Sequence, residues 1–186
     1  MVIYMKAIET ALSLTQAYKL GIERFEKMLG NEFAKAVEYM NNTSTHIIVC
    51  GMGKSGLVGR KISSTLASTG TPSIFLHPTE AIHGDLGKVQ KKSVVLLISY
   101  SGETGEIIAL IPALKRLDVN IIALTGVKNS TLAIKSDIVL DTSVDREACP
   151  LNLAPTTSTM ITMVLGDALA VSLMELKLSL IHISEP

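Results

Sequence analysis

Ile8, Leu12, Leu14, Ala17, Leu20, Ile22, Phe25 and Leu29 recur at roughly helical spacing, so the chain opens on a helix. Gly30-Asn31 stops that pattern and caps a second helix, predicted over about 32–40. Beyond residue 45 the pattern changes. Short apolar runs predict strands over 46–50, 73–76, 93–98, 119–124 and 137–140. Between them, helical stretches fall at 55–68, near 79–83, at 104–117 and near 130–135. Pro155-Thr156-Thr157-Ser158-Thr159 then opens a long terminal helix through about Lys177, with Ile161, Val164, Leu165, Ala168 and Leu169 on its apolar side.

Strands that alternate with helices imply right-handed crossovers and a parallel sheet covered on both faces. The predicted fold is therefore a three-layer, doubly wound α/β domain with a five-stranded parallel sheet, flavodoxin-like, preceded by N-terminal helices. In such sheets ligands sit beyond the carboxyl ends of the strands. Two glycine-rich loops emerge there. His46-Ile47-Ile48-Val49-Cys50 runs into Gly51-Met52-Gly53-Lys54-Ser55-Gly56, and Val94-Val95-Leu96-Leu97-Ile98 runs into Ser99-Tyr100-Ser101-Gly102-Glu103-Thr104-Gly105-Glu106. A strand, a glycine loop and a helix in series aim backbone N–H groups at one point, which suits an anion. Hydroxyls of Ser55, Ser99, Ser101 and Thr104 can add hydrogen bonds without fixed charge, so a phosphorylated small molecule is the expected ligand.

Each loop also has a plainer reading. The first lacks the full glycine spacing of a dinucleotide fingerprint and the eight-residue span of a P-loop, so alone it is a tight turn with a solvated Lys54. The second, alone, is a helix cap. Glu106 falls in the first turn of the following helix, where a carboxylate either answers the helix dipole or serves as a general base. His83, in Glu80-Ala81-Ile82-His83-Gly84-Asp85-Leu86-Gly87, is a candidate proton carrier or ring-oxygen partner, or a surface histidine bonded to Asp85. His77, before Pro78, ends a strand and packs locally. Glu147, in Arg146-Glu147-Ala148-Cys149-Pro150, reads without further context as the partner of Arg146.

Composition narrows the classes. At 186 residues the chain suits one well-buried core. Apolar residues make up 47%, yet residues 160–176 are interrupted by Gly166, Asp167 and Glu175, so this stretch reads as a core helix and no membrane is expected as partner. Seventeen basic residues balance seventeen acidic ones without a basic cluster, which argues against nucleic acid. No basic segment followed by an apolar leader opens the chain, and Cys50 and Cys149 form no metal-type pair. A reducing cytoplasm is the expected compartment. Leu178-Ser179-Leu180-Ile181-His182-Ile183-Ser184-Glu185-Pro186 matches what a common transposon-type sequencing adapter encodes, so residues 178–186 read as a non-native tail on a domain spanning 1–177.

Six segments taken in order identify a family. Gly51-Met52-Gly53-Lys54-Ser55-Gly56, Ser68-Thr69-Gly70-Thr71-Pro72, His83-Gly84-Asp85-Leu86-Gly87, Ser101-Gly102-Glu103-Thr104, Glu147-Ala148-Cys149-Pro150-Leu151 and Leu153-Ala154-Pro155-Thr156 closely resemble the sugar isomerase (SIS) domain of bacterial arabinose 5-phosphate isomerases. The likeness runs from about Ala17 to Lys177. It implies interconversion of D-ribulose 5-phosphate and D-arabinose 5-phosphate for synthesis of the lipopolysaccharide sugar 3-deoxy-D-manno-octulosonate, by a homotetramer with no metal and no cofactor. By resemblance Lys54, His83, Glu106 and Glu147 fall on active-site positions. Ser55, Ser99, Ser101 and Thr104, with Gly53 and Gly102, fall on the sugar-phosphate loops. Family members usually continue with a Ser-His-Pro-Gly-Gly segment and often a pair of CBS domains, so the resemblance implies a longer natural chain.

The chemistry so implied needs a base for the proton alpha to the carbonyl, an electrophile for the enediolate and a carrier to return the proton. Glu106 is the expected base. An ordinary carboxylate, with a pKa near about 4.3, is weak for that task, so burial or stabilisation of the enediolate by Lys54 and His83 must compensate. Apolar faces on the first and last helices predict burial against copies of the chain, with His83 available to a neighbouring subunit's site. Two other readings remain at this level: an isomerase of a hexulose or sedoheptulose phosphate, and a sugar-phosphate sensing module. The second usually carries a helix-turn-helix, for which the 45 residues before the first strand are too few and insufficiently basic.

Overall fold

The computed structural model of the chain describes residues 2–184, with side chains over 4–178. Two helices, α1 (Val2–Met28) and α2 (Asn31–Asn41), lead into β1 (Ile47–Gly51), α3 (Gly53–Ser68), β2 (Ser73–Leu76) and α4 (Pro78–Ile82). There follow β3 (Val94–Ile98), α5 (Gly105–Arg116), β4 (Asn120–Thr125), α6 (Thr131–Lys135), β5 (Ile138–Asp141) and α7 (Thr157–Ser184). All pairings are parallel, and the strand order is β2-β1-β3-β4-β5, as a flavodoxin-like sheet requires.

Side chains alternate across each strand, so one apolar run feeds two cores. Ile47, Val49, Val94 and Leu96 face Phe25 of α1, Val37 and Met40 of α2, Ile62 and Leu66 of α3, and Leu165 and Leu169 of α7. Ile48, Cys50, Val95 and Leu97 face Ala81 of α4, Ile107 and Leu110 of α5, and Leu132 of α6. Both faces are thus covered. Because all five β1 and all five β3 residues are buried, these strands need unbroken apolar runs, which is what marks them in the sequence.

Two glycines let α3 start hard against β1. A Cβ on Gly56 would lie 2.6 Å from the Gly51 carbonyl oxygen, and one on Gly51 would lie 2.9 Å from that of Ser55. Both contacts are with backbone, so neither can be relieved by a rotamer change. The turn is therefore as short as the chain allows, and β1 delivers its loop directly into the crevice beside β3. From Ile47 opposite Val94 to Gly51 opposite Ile98 the two strands run level, and the chain leaves them toward opposite edges of the sheet. That crevice is the topological switch point.

α7 runs past the predicted end at Lys177 to Ser184, since neither glycine nor proline intervenes. The reading of residues 178–186 as a tail falls, apart from Leu178 and the helical backbone, outside the described residues. The segment Thr157–Leu178 is long and apolar enough to cross a membrane by length and composition. One side of it lies in the core: Ile161, Leu165, Leu169, Ala170 and Leu173 are buried, and Asp167 pairs with Lys61 of α3, while Val171, Leu176 and Leu178 are exposed. The first half of α1 differs. Tyr4, Met5, Ile8 and Leu12 are 75%, 58%, 61% and 63% exposed, so the start of the predicted apolar stripe, at Ile8 and Leu12, is left uncovered by the described residues.

Candidate active site at the switch point

The β1 loop reaches α3 through Met52, which is extended (φ −109°, ψ 146°) and offers no side-chain cap, and Gly53, whose φ of +55° favours glycine. Uncapped first-turn N–H groups face the end of the sheet. Lys54 is exposed there, and Ser55 is half-buried.

The β3 loop is more tightly built than its sequence suggests. The buried Ser99 hydroxyl accepts the Gly102 N–H at 3.1 Å and shares a 2.8 Å hydrogen bond with the Thr104 hydroxyl. Ser101, exposed at the tip, accepts the Glu103 N–H at 3.2 Å. Thr104 is the N-cap residue of α5 but gives its side chain to Ser99, leaving the first turn of α5 without a side-chain cap. Gly102 has φ +66°, and a Cβ there would lie 1.9 Å from the Ser130 hydroxyl oxygen, so the loop is pressed against the start of α6. The Thr131 N–H donates to Glu103 Oε1 at 2.6 Å, which caps α6 and holds the Glu103 carboxyl below its ordinary value. Nothing in the spacing of Glu103 and Thr131 signals that pairing.

Glu147 is not a partner of Arg146 among the described residues. Its Oε2 accepts the N–H groups of Thr156 (2.7 Å) and Ser158 (3.2 Å) and the Thr156 hydroxyl (3.0 Å), while Oε1 accepts the Ser158 hydroxyl. Burial raises this carboxyl, but the hydrogen bonds from Ser158 and Thr156 together outweigh it and hold the group below the ordinary carboxylate value. Glu147 therefore caps α7 as a carboxylate, and the run Thr156-Thr157-Ser158 is the signal that could have found it.

The sign of that shift sets a pH dependence. A lowered carboxyl stabilises the fold above its ordinary value, near pH 4.5, and the contribution fades as pH falls through the folded value. Glu147→Gln is expected to cost about 1–2 kcal/mol near neutral pH, in the range of a lost helix cap. Urea titrations should show the gap between the two proteins closing below about pH 4.5; a gap independent of pH would mean the carboxylate is not the capping group.

His83 caps the C-terminal end of α4, its N–H donating to the Thr79 and Glu80 carbonyls. Asp85 pairs with Lys88 at 2.6 Å rather than with His83. His77 is the N-cap residue of α4. Glu106 is half-buried in the first turn of α5, and no hydrogen bond or ion pair holds its carboxylate among the described residues. Cys50, beside the first loop, is inert because burial pushes its thiol up to about 12.

These groups divide between two sides of the switch point. Lys54 and Ser55 open α3, and Glu147 is bound to α7; both helices cover one face of the sheet. Glu106 and His83 belong to α5 and α4 on the other. The β3 loop lies between. On the α7 side a cavity of about 290 Å³ is lined by Ser55, Tyr100, Glu147 and Ser158, together with Asn152 and Thr159. Of the predicted site residues it gathers Ser55 and Glu147; the others are arranged along the same edge outside it. Tyr100 and Ser158 were not singled out in the sequence.

Fold and site together define a doubly wound α/β domain with a candidate small-ligand cavity at the β1/β3 switch point. The SIS domain family model matches residues 40–172, and the chain belongs to that family. It is 55% identical over 147 residues to arabinose 5-phosphate isomerase KdsD of Pseudomonas aeruginosa, covering 79% of this chain and 45% of that protein. It is 52% identical over 153 residues to arabinose 5-phosphate isomerase KpsF of Escherichia coli O6:H1, covering 82% and 47%. The chain spans about half the length of the curated relatives it matches. A solved structure from Escherichia coli CFT073, in complex with arabinose 5-phosphate, is 40% identical and superposes with a TM-score of 0.85 over 93% of this chain and 92% of that one.

Proposed function

We propose that the chain is the isomerase domain of an arabinose 5-phosphate isomerase, interconverting D-ribulose 5-phosphate and D-arabinose 5-phosphate for 3-deoxy-D-manno-octulosonate synthesis. The observation that carries the reading is the meeting of two uncapped helix starts, α3 and α5, at the β1/β3 crevice beside a cavity of small-molecule size. The relatives' names and the sugar-phosphate complex of the Escherichia coli CFT073 protein support the choice of sugar.

In this reading the phosphate is held by the loops bearing Gly53, Ser55, Ser99, Ser101, Gly102 and Thr104. Ser99 and Thr104 shape the second loop through their mutual bond, while Ser101 and the free N–H groups of α5 face the anion. Glu106 takes the proton alpha to the carbonyl, since its carboxylate is unencumbered, whereas Glu147 is held by four hydrogen bonds and is the weaker base. Lys54 steadies the enediolate oxygen, and His83, supplied by the same chain or a neighbour, returns the proton. The exposed apolar start of α1 supports assembly into a homotetramer, and two free cysteines support a cytoplasmic setting.

Incubation with ribulose 5-phosphate should yield arabinose 5-phosphate; absence of conversion by the full chain, with sugar phosphate still bound, would favour a sensing module. Ser101→Ala should weaken sugar-phosphate binding about 5- to 150-fold, as for one lost bond to a charged group, with little effect on folding. Calorimetry showing equal affinity for arabinose with and without its phosphate would sink the phosphate-loop assignment.

A further inference from the structure

Tyr100 stands where three loops meet. Its carbonyl accepts the Gly126 N–H at 2.9 Å and the Thr125 hydroxyl at 3.1 Å, which fastens its backbone to the end of β4. Its ring lies on Gly126 so closely that a Cβ there would fall 2.5 Å from Cε2 and 2.7 Å from Cζ. Its hydroxyl accepts the Val144 N–H at 3.4 Å, from the segment that leads to Glu147. Gly126 and Thr125 hold the backbone, Gly126 also the ring, and Val144 the hydroxyl, yet the residue is 37% exposed and lines the cavity with Ser55 and Glu147.

A phenol both accepts and donates. Val144 occupies the acceptor side, and among the described residues no acceptor takes the proton, so a rigidly held donor is presented at the cavity wall. A donor fixed in advance loses little conformational freedom when a ligand arrives. The other polar groups on the cavity wall are two carboxylates, Asp145 and Glu147, the Arg146 guanidinium, an amide and several hydroxyls; the carboxylates, amide and hydroxyls can bond the hydroxyls of a polyol, and the guanidinium its phosphate.

We propose that Tyr100 is a specificity-determining contact for the sugar, its hydroxyl donating a hydrogen bond to a hydroxyl of a phosphorylated polyol bound between the β3 loop and Glu147. This rests on the phosphosugar reading above. A site built to hydrogen-bond a hydroxyl discriminates against ligands lacking it, because its own polar group is then left unpaired. Tyr100 would thus select hydroxylated chains over other organic phosphates.

The test compares two non-reacting probes, arabitol 5-phosphate and n-pentyl phosphate, which share a phosphate and a five-carbon chain and differ in hydroxyls. Binding of each to the full chain and to Tyr100→Phe is measured by calorimetry. Phe keeps the ring on Gly126 and the backbone bonds to Thr125 and Gly126, and besides the donor gives up only the long, 3.4 Å bond from the Val144 N–H. Loss of one bond should raise the Kd of arabitol 5-phosphate about 10- to 100-fold and leave that of pentyl phosphate within about twofold. Equal weakening for both probes would show that Tyr100 only shapes the phosphate loop, and no change for either would show that its hydroxyl meets no sugar; each result overturns the proposal. If the unmutated chain binds arabitol 5-phosphate no better than arabitol, the phosphosugar reading itself fails, and this inference with it.

Discussion

Glu106→Gln is expected to lower turnover of ribulose 5-phosphate by about 10²- to 10⁴-fold while sugar-phosphate affinity stays within about tenfold. The amide keeps the shape of the side chain at the start of α5 and removes the electron pair that accepts the substrate proton. That interaction exists only as the proton moves, so its loss falls on the transition state and spares the ground state. Because no described side chain or backbone group holds the Glu106 carboxylate, the substitution disrupts no network and a change in stability cannot masquerade as a change in chemistry. Two measurements check this: single-turnover rates, and exchange of solvent deuterium into the sugar, which should slow in parallel. Near-normal exchange in the Gln variant would reduce Glu106 to a first-turn carboxylate answering the helix dipole. The base would then be Glu147, despite the hydrogen bonds that weaken it.

Gly102→Ala should be the most damaging single methyl group in the site. Its φ of +66° costs an alanine about 1–2 kcal/mol, and the added Cβ, 1.9 Å from Ser130 Oγ and 2.4 Å from Ser130 Cβ, must push the β3 loop from the start of α6. With overpacking adding about 1–3 kcal/mol, the expected loss is about 2–5 kcal/mol, or roughly 4–20 °C in Tm for a domain of this size. Sugar-phosphate binding should fall too, since the displaced loop carries Ser101. Gly105→Ala is the matched control: it lies three residues on, its φ is not positive, and a Cβ there meets nothing within 4 Å. It should leave Tm almost unchanged. Differential scanning calorimetry of the two variants decides the matter, and equal Tm values would show that the β3 loop yields without strain.

The order and type of the elements were legible because they are written in short windows. Ile47 to Cys50 and Val94 to Ile98 are apolar throughout since both their faces are covered, Gly51 and Gly56 mark a turn that larger residues would block, and Gly53 supplies its positive φ. These patterns, with right-handed crossovers, are enough to place both loops at the carboxyl edge of one parallel sheet. The likeness to the SIS domain rests instead on six particular segments, from Gly51–Gly56 to Leu153–Thr156. α7 continues beyond the predicted end at Lys177 to Ser184, because the sequence there holds no glycine or proline to stop a helix.

Only the tertiary structure decided which polar groups are already engaged. Glu147 and Ser158 are eleven positions apart, Glu103 and Thr131 twenty-eight, Tyr100 and Val144 forty-four, and no periodicity reports contacts made by loops that leave different strands. It also decided the division of Glu106 and His83 from Glu147, which depends on the layer each helix joins. The physical reason is one of range. Backbone conformation is set by neighbours within a turn or a strand, whereas the partners of a hydroxyl or carboxylate are set by strand order and helix packing, which the whole chain determines at once.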